Sequence, residues 1–297
     1  MPRHSSTAYA FLSVPLLVLW IFTLMPTLGG VLLAFMSWSG SGGPIFIGVD
    51  NFLGLASDSR FRPAFINTLV FAAITIPVSN GFAFLLAAAV NAPWFRAGAV
   101  ARLLLFLPAI TSLVAIGFAW RWVLDPSGGI VSLALRTVGL PAPAFLEGGT
   151  LVRIGSVDLL NWPLLTLAAV QIWRTVGLGV LLYAAAMRGI NTSMMEAAES
   201  DGASRWRILL TITRPAVRPT TLFLLFTGLV GSLQAFDLAW ALAGGTDSAA
   251  IDVLNWFTYR QFQQNRLGYA AASGVVVLLL SALAAGIHWT IAGERET

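Results

Sequence analysis

The chain has 297 residues, 57% of them hydrophobic and 10% charged, with a mean hydropathy of +0.81. A soluble domain is about 25% charged, so this composition describes a polytopic membrane protein. All 17 basic residues are Arg and cysteine is absent, which excludes disulfides, thiolate metal sites, cysteine nucleophiles, a Schiff-base lysine and the lysine of a Walker A loop. The formal charge of +4, spread without a dense basic tract, gives no footprint for nucleic acid.

From the start of the chain, Pro2-Arg3-His4 precedes an apolar run from about Ala8 to Met36. The run exceeds the roughly 7 to 15 residues of a signal-peptide core and lacks a clean small-x-small site, so it is expected to persist as a first span. Ser37 to Arg62 reads as a polar, Gly-rich loop, with Trp38 as a membrane-interface aromatic. Five further spans, each near the roughly 20 residues that cross hydrocarbon, are expected at Ala64–Val90, Leu103–Leu124, Trp162–Met187, Thr220–Ala243 and Tyr269–Ile291. Pro77, Pro108 and Pro163 kink or cap them. The expected fold is an all-α membrane protein of six transmembrane helices: a tip, first helix and outer loop over 1–63, a five-helix core over 64–291, and a tail over 292–297. Asp125 to Asn161 is too short for an independent domain. Within it, Ile130 to Val138 can form a short amphipathic helix on the membrane, broken by Pro141-Ala142-Pro143.

Arginine placement sets the orientation. Arg3, Arg96, Arg102, Arg188, Arg205, Arg207, Arg214, Arg218 and Arg295 lie on one side, nine in all, against seven on the other: Arg60, Arg62, Arg121, Arg136, Arg153, Arg260 and Arg266. The positive-inside rule then places both termini in the cytoplasm.

The polar loop between the fourth and fifth spans, residues 188–219, carries five arginines. Ser193-Met194-Met195-Glu196 has capping-box spacing for a short helix, Asp201-Gly202 ends it, and a second amphipathic piece runs from Ser204 to Thr213 before Pro215 and Pro219. Glu196, Ala197, Ala198, Gly202, Ile212 and Pro215 stand at the spacing Glu-Ala-Ala, three residues, Gly, nine residues, Ile, one residue, Leu-Pro, with Arg214 in place of Leu. That spacing resembles the signature loop of permease subunits in binding-protein-dependent ABC importers. Three further phrases resemble the carbohydrate-type branch: Phe46-Ile47-Gly48-Val49-Asp50-Asn51-Phe52, Asn67-Thr68-Leu69, and Phe236-Asp237 through Leu242-Ala243-Gly244-Gly245 followed by Gly268-Tyr269-Ala270. In the third, Ala243 replaces the usual Thr. The resemblance implies a type I importer permease fold in the inner membrane, working with ABC ATPase subunits, a second related permease and an extracytoplasmic solute-binding protein. It also implies that Met195, Glu196, Ala197, Ala198, Asp201 and Gly202 form the coupling helix that docks on the ATPase. The segment Asp125 to Asn161 is then either a surface strap or a contact for the binding protein.

Ionisable and amide groups inside spans are costly and tend to face a bundle interior, a partner or a water-filled path. Gln171 and Arg174 are three apart on the fourth span and Gln234 and Asp237 three apart on the fifth, so each pair is expected to share a helix face. With Trp173 and Trp240 beside them they form the candidate solute pathway; Asn80 and Thr111 are weaker members. The competing reading is that Arg174 and Asp237 are an internal ion pair and the tryptophans core packing. No metal or cofactor is expected, because the only histidines are His4 and His288. A serine hydrolase would have to use His288 with Ser232 or Ser281, and Ser281 lies two helical turns away. The expected function is therefore that of a non-enzymatic permease for a sugar or sugar-like solute, including glycerophosphates. The alternative class is a stand-alone secondary transporter, which would leave the signature loop without a role and lacks the expected internal repeat.

Overall fold

The structure is a computed structural model describing residues 4–92, 95, 97–154, 157–245 and 251–293. The orientation arguments resting on Arg3, Arg96 and Arg295 fall outside them. Long apolar runs become helices here because hydrocarbon offers backbone amides no other partner. α1 (His4–Leu19) passes through one π turn (Trp20–Leu24) into α2 (Met25–Leu33). The segment Phe11–Leu33 is long and apolar enough to cross a membrane, and none of its apolar window is buried against protein. α4 (Phe61–Asn91), α8 (Trp162–Arg188) and α15 (Leu267–Gly293) meet the same criterion.

The third and fifth spans are broken rather than continuous. α5 (Gly98–Ile110) meets α6 (Leu113–Val123) at 98°, and the segment Arg205–Ala216 meets α12 (Arg218–Leu233) at 70°. Among the described residues there are thus four straight membrane-length helices, or six spans if each bent pair crosses once. The first break has a local cause. Pro108 lacks an amide proton and crowds the preceding turn, and Thr111 leaves the helix in an extended conformation while its hydroxyl donates to the carbonyl of Leu107 at 3.0 Å. The expected helix Thr220–Ala243 also ends early: α12 stops at Leu233, Phe236 adopts φ −137° and ψ −60°, and α13 (Asp237–Leu242) starts afresh.

The chain forms two compact units. One comprises the residues up to Arg62 together with Phe257–Leu279. Its expected polar loop is built as a hairpin of β1 (Met36–Ser37) and β2 (Ile45–Phe46), followed by α3 (Asp50–Ser57). Buried Asn51 donates to the carbonyls of Ala34 and Met36, both at 2.9 Å. The Tyr269 hydroxyl donates to Asp58 Oδ2 at 2.9 Å, while Asp58 Oδ1 accepts the amides of Arg60 and Phe61 at 2.8 and 3.2 Å and so caps the start of α4.

The second unit comprises Pro63–Trp256 and the chain from Leu280 onward. Here α5 and α12 pack on α8, and α6 packs on α13. The approach of α5 to α8 is set by Gly177, where a Cβ would overlap the carbonyl oxygen of Leu105; small residues allow such backbone proximity between membrane helices. Ala83 and Ala87 of α4, with Val180, Tyr183 and Ala184 of α8, form the buried centre. Asn67 donates to the Asp252 carbonyl at 2.9 Å and Thr68 Oγ1 accepts the Leu254 amide at 2.8 Å, fixing the segment that leads into α14 (Leu254–Gln263). Between the spans, α7 (Ile130–Thr137) exposes Ile130 and Leu133, and β3 (Thr150–Ile154) pairs antiparallel with β4 (Val157–Asn161). The fold is all-helical in its membrane segments, with two short hairpins outside them.

Candidate functional site: a polar cavity and an exposed loop

α4, α8 and α12 line a half-open cavity of about 200 Å³. Its walls are largely apolar, and the polar groups that reach it come from one face of each helix. Gln171 and Arg174 of α8 both line it, together with Asn80 of α4. Arg174 sits near the midpoint of the 27-residue α8, and its Nε is buried without a hydrogen-bond partner among the described residues.

The hydroxyls of Thr75, Ser79, Thr175 and Thr227, which the sequence did not single out, also line the cavity, as does that of Ser232, weighed there only as a nucleophile. Thr75, Thr175 and Thr227 donate to the carbonyls four residues earlier, at 2.7, 2.8 and 2.9 Å. That pattern satisfies the hydroxyl proton within the helix and leaves oxygen lone pairs turned to the cavity. Thr75 and Ser232 lie 3.2 Å apart and tie α4 to α12. The Tyr183 hydroxyl stands 3.0 Å from Thr221 Oγ1 and 3.3 Å from Asn80 Oδ1. The signal for these residues was present: Thr75 and Ser79, Gln171 and Thr175, and Thr227 with Gly231 are each four apart, hence on one face.

Other expected members lie elsewhere. Gln234 caps the end of α12 and Asp237 opens α13, so the two do not share a helix face, because the helix breaks between them. Asp237 is exposed. Arg174 feels its carboxylate electrostatically, but among the described residues no ion pair or hydrogen bond joins them. Trp173 points away from the cavity of Arg174. It meets Trp120 edge to face at 5.6 Å between ring centroids and, with Phe145 and Trp162, lines a separate aromatic cavity of about 340 Å³. Trp240 packs edge-on against Phe118 at 5.8 Å. Thr111 belongs to the break between α5 and α6, not to the cavity. Of the groups weighed for a hydrolase, Ser232 is engaged with Thr75, and the His288 ring stacks on Phe226 at 4.5 Å.

The loop after α8 is built from α9 (Thr192–Ser200), α10 (Arg205–Ile208), a π turn (Leu209–Thr213) and α11 (Arg214–Ala216). The expected capping box gives way to Asn191, whose side-chain oxygen accepts the Ser193 amide at 3.0 Å and the Ser193 hydroxyl at 2.9 Å. An Asn cap is at least as favourable as a Ser one, and it sets the helix start two residues earlier. The expected stop is in place: Gly202 stands at φ +77°, its amide bonds to Glu199 and the Ala203 amide reaches back to Ala198 at 2.9 Å, a Schellman closure. No residue of α9 is buried. Glu196, Ala197, Asp201 and Gly202 are exposed, Met195 and Ala198 half-buried, and Met194, Trp206 and Leu210 stand out as exposed apolar groups.

Membrane-length and bent helices around a cavity lined by hydroxyls and amides, with a capped helix that buries none of its residues joining two of its walls, are the arrangement of a multi-pass transport permease. No family model matches the chain. It is 28% identical over 300 residues to the lactose transport system permease LacF of Rhizobium radiobacter, covering 99% of this chain and 96% of that protein. It is 29% identical over 237 residues to the sn-glycerol-3-phosphate transport system permease UgpA of Agrobacterium fabrum, covering 79% and 76% respectively. A crystal structure of a bacterial ABC transporter involved in importing the acidic polysaccharide alginate contains a chain that superposes with a TM-score of 0.81 at 27% identity, over 97% of both chains. A related crystal structure holds that transporter with its alginate-pentasaccharide-bound periplasmic protein, with a TM-score of 0.80. Over nearly its whole length the chain thus has the fold and the sequence pattern of multi-pass permease subunits of carbohydrate-type ABC importers.

Proposed function

We propose that this permease moves a sugar or sugar-like solute, received from an extracytoplasmic binding protein, through the cavity between α4, α8 and α12. It works with a second, related permease and with separate ATPase subunits that dock on Met195–Gly202. The observation that carries the reading is α9. A nine-residue helix capped at both ends yet burying none of its residues is stabilised locally and offers most of its surface to another chain. Its exposed Glu196, Glu199 and Asp201 suit basic groups, and Met194 and Trp206 suit an apolar groove. Closure of an ATPase pair would move this lever, which joins α8 directly and α12 through the 70° break, and so rock two walls of the cavity. Hydroxyls and amides along those walls match a polyhydroxylated solute. The same reading takes the core to run over 64–291 and the termini to lie on the cytoplasmic side of the inner membrane, with the arginine-rich loop after α8.

Affinity purification of the tagged chain from mild detergent tests this. We expect an ATPase and a second permease to copurify, and to be lost when Glu196 and Gly202 are both substituted. Recovery of the chain alone, moving solute in liposomes without ATP, would overturn the proposal in favour of a secondary transporter.

A further inference from the structure

Arg174 departs from what a neutral polyol would require. It lies midway along a membrane-spanning helix, where a charge is costly to hold, and its Nε is buried with no partner among the described residues. A buried donor left unpaired is destabilising unless something else completes it. The cavity offers no counter-charge of its own: α4, α8 and α12 contain no Asp or Glu anywhere along their lengths. Asp237 contributes field but stands exposed at the start of α13, outside the cavity lining. The side-chain amide of Gln171, one turn before Arg174, makes no hydrogen bond among the described residues, and the hydroxyl of Thr175 is already donated to the Gln171 carbonyl. The site therefore presents one cation with a planar, forked donor set, one free amide and several oxygen acceptors.

We infer that this cavity is an anion-selective station, taking a polyhydroxylated solute that carries a carboxylate or a phosphate ester, with Arg174 gripping the anionic group. The inference rests on the proposal that the cavity is the solute path. A guanidinium binds both oxyanions through two parallel hydrogen bonds, while Gln171 and the oxygens of Thr75 and Thr175 take the solute's hydroxyls.

The test uses the assembled, detergent-purified transporter without nucleotide and matched probes: lactose against digalacturonate, and glucose against glucose 6-phosphate, by equilibrium dialysis. We expect at least one acidic probe to bind about tenfold or more tighter than its neutral match, the range for hydrogen bonds to a charged group. Whichever acidic probe shows the preference tells carboxylate from phosphate. Arg174→Gln should collapse the acidic-to-neutral ratio, and Arg174→Lys should restore part of it, keeping charge but not the fork. Equal binding of both probes by the native complex, or an unchanged ratio in Arg174→Gln, overturns the inference. If the Gln variant fails to assemble, the native ratio decides alone. Gly231→Trp separates the two layers, because Gly231 lines the cavity and leaves room for a Cβ, with nothing within 4 Å of it, from which an indole extends into the path. Continued uptake by that plugged variant sinks the solute-path reading. Blocked uptake with no acidic preference sinks only the role of Arg174.

Discussion

Gly202 holds a left-handed backbone at φ +77° with nothing within 4 Å of where a Cβ would sit. Substitution there is therefore a backbone problem and not a steric one. Gly202→Val should cost about 1–2 kcal/mol locally, loosening the end of α9 while leaving membrane levels intact. ATPase activity in the purified complex should then lose its response to the loaded binding protein; a normal response would remove Gly202 from the coupling role. Asn67 makes the opposite kind of case. Its amide donates to the buried Asp252 carbonyl, so Asn67→Ala should lower stability by about 1–3 kcal/mol, read as a lower melting midpoint in detergent. A third case is Asp58. Burial opposes its charge, but the Arg60 amide, the Tyr269 hydroxyl and the Phe61 amide outweigh that and hold its carboxyl below the usual carboxylate value. A depressed value stabilises the folded protein above the ordinary pKa of about 3.9 and is lost as pH falls through the lower folded one. Asp58 should therefore contribute no slope between pH 8 and pH 5, and Asp58→Asn should flatten the acid-side decline in melting midpoint. At this scale the sequence was readable where one residue type decides, as in Asp201-Gly202, which ends α9. It was misleading where two caps compete, as Asn191 and Ser193 do at the start of α9.

Helices were legible as apolar runs, and their breaks were not. Hydropathy averaged over a window is blind to a change of axis, so Leu103–Leu124 read as one span although Thr111 turns extended and the axis swings by 98°. The interruption at Gln234–Phe236 has no proline to announce it, and it separates Gln234 from Asp237, which a continuous helix would have placed on one face. The polar stripe on α8 survived because that helix is unbroken: Gln171 and Arg174 reach the same cavity. Packing between elements was equally invisible beforehand, since it depends on which glycine meets which backbone. Gly177 faces the Leu105 carbonyl with no room for a methyl group. Gly177→Leu should push α5 from α8, costing about 1–3 kcal/mol or more as overpacking does. Gly231→Ala, placed in open space, should leave the melting midpoint within measurement error. Equal losses in the two variants would mean that the α5–α8 approach is not what holds this unit together.

Across the whole molecule the bent pairs decide the topology. At 1.5 Å per residue α5 and α6 are about 20 and 16 Å long, and at 98° their far ends are on the order of 24 Å apart, against a hydrocarbon layer of about 30 Å. Such a pair either crosses with help from flanking turns or returns to the side it left. The two cases place the signature loop on opposite faces of the membrane. If α5 and α6 together cross once, the loop after α8 lies with the residues before α1; if they form a re-entrant element, it lies opposite them and no cytoplasmic ATPase could reach it. The arginines favour crossing, since Arg188, Arg205, Arg207, Arg214 and Arg218 cluster in that one loop. The chain has no cysteine, so single replacements at exposed positions report sidedness without background. Ser41→Cys in the β1–β2 loop and Thr137→Cys at the end of α7 should react with a membrane-impermeant maleimide in spheroplasts. Ser200→Cys should react only in inverted vesicles, and should lose that reactivity when the ATPase subunit is bound. Labelling of Thr137→Cys only in inverted vesicles and of Ser200→Cys in spheroplasts, with Ser41→Cys still labelled in spheroplasts, would mean that α5 and α6 do not cross. That result would remove the coupling role of α9 while leaving the fold and the cavity as they stand.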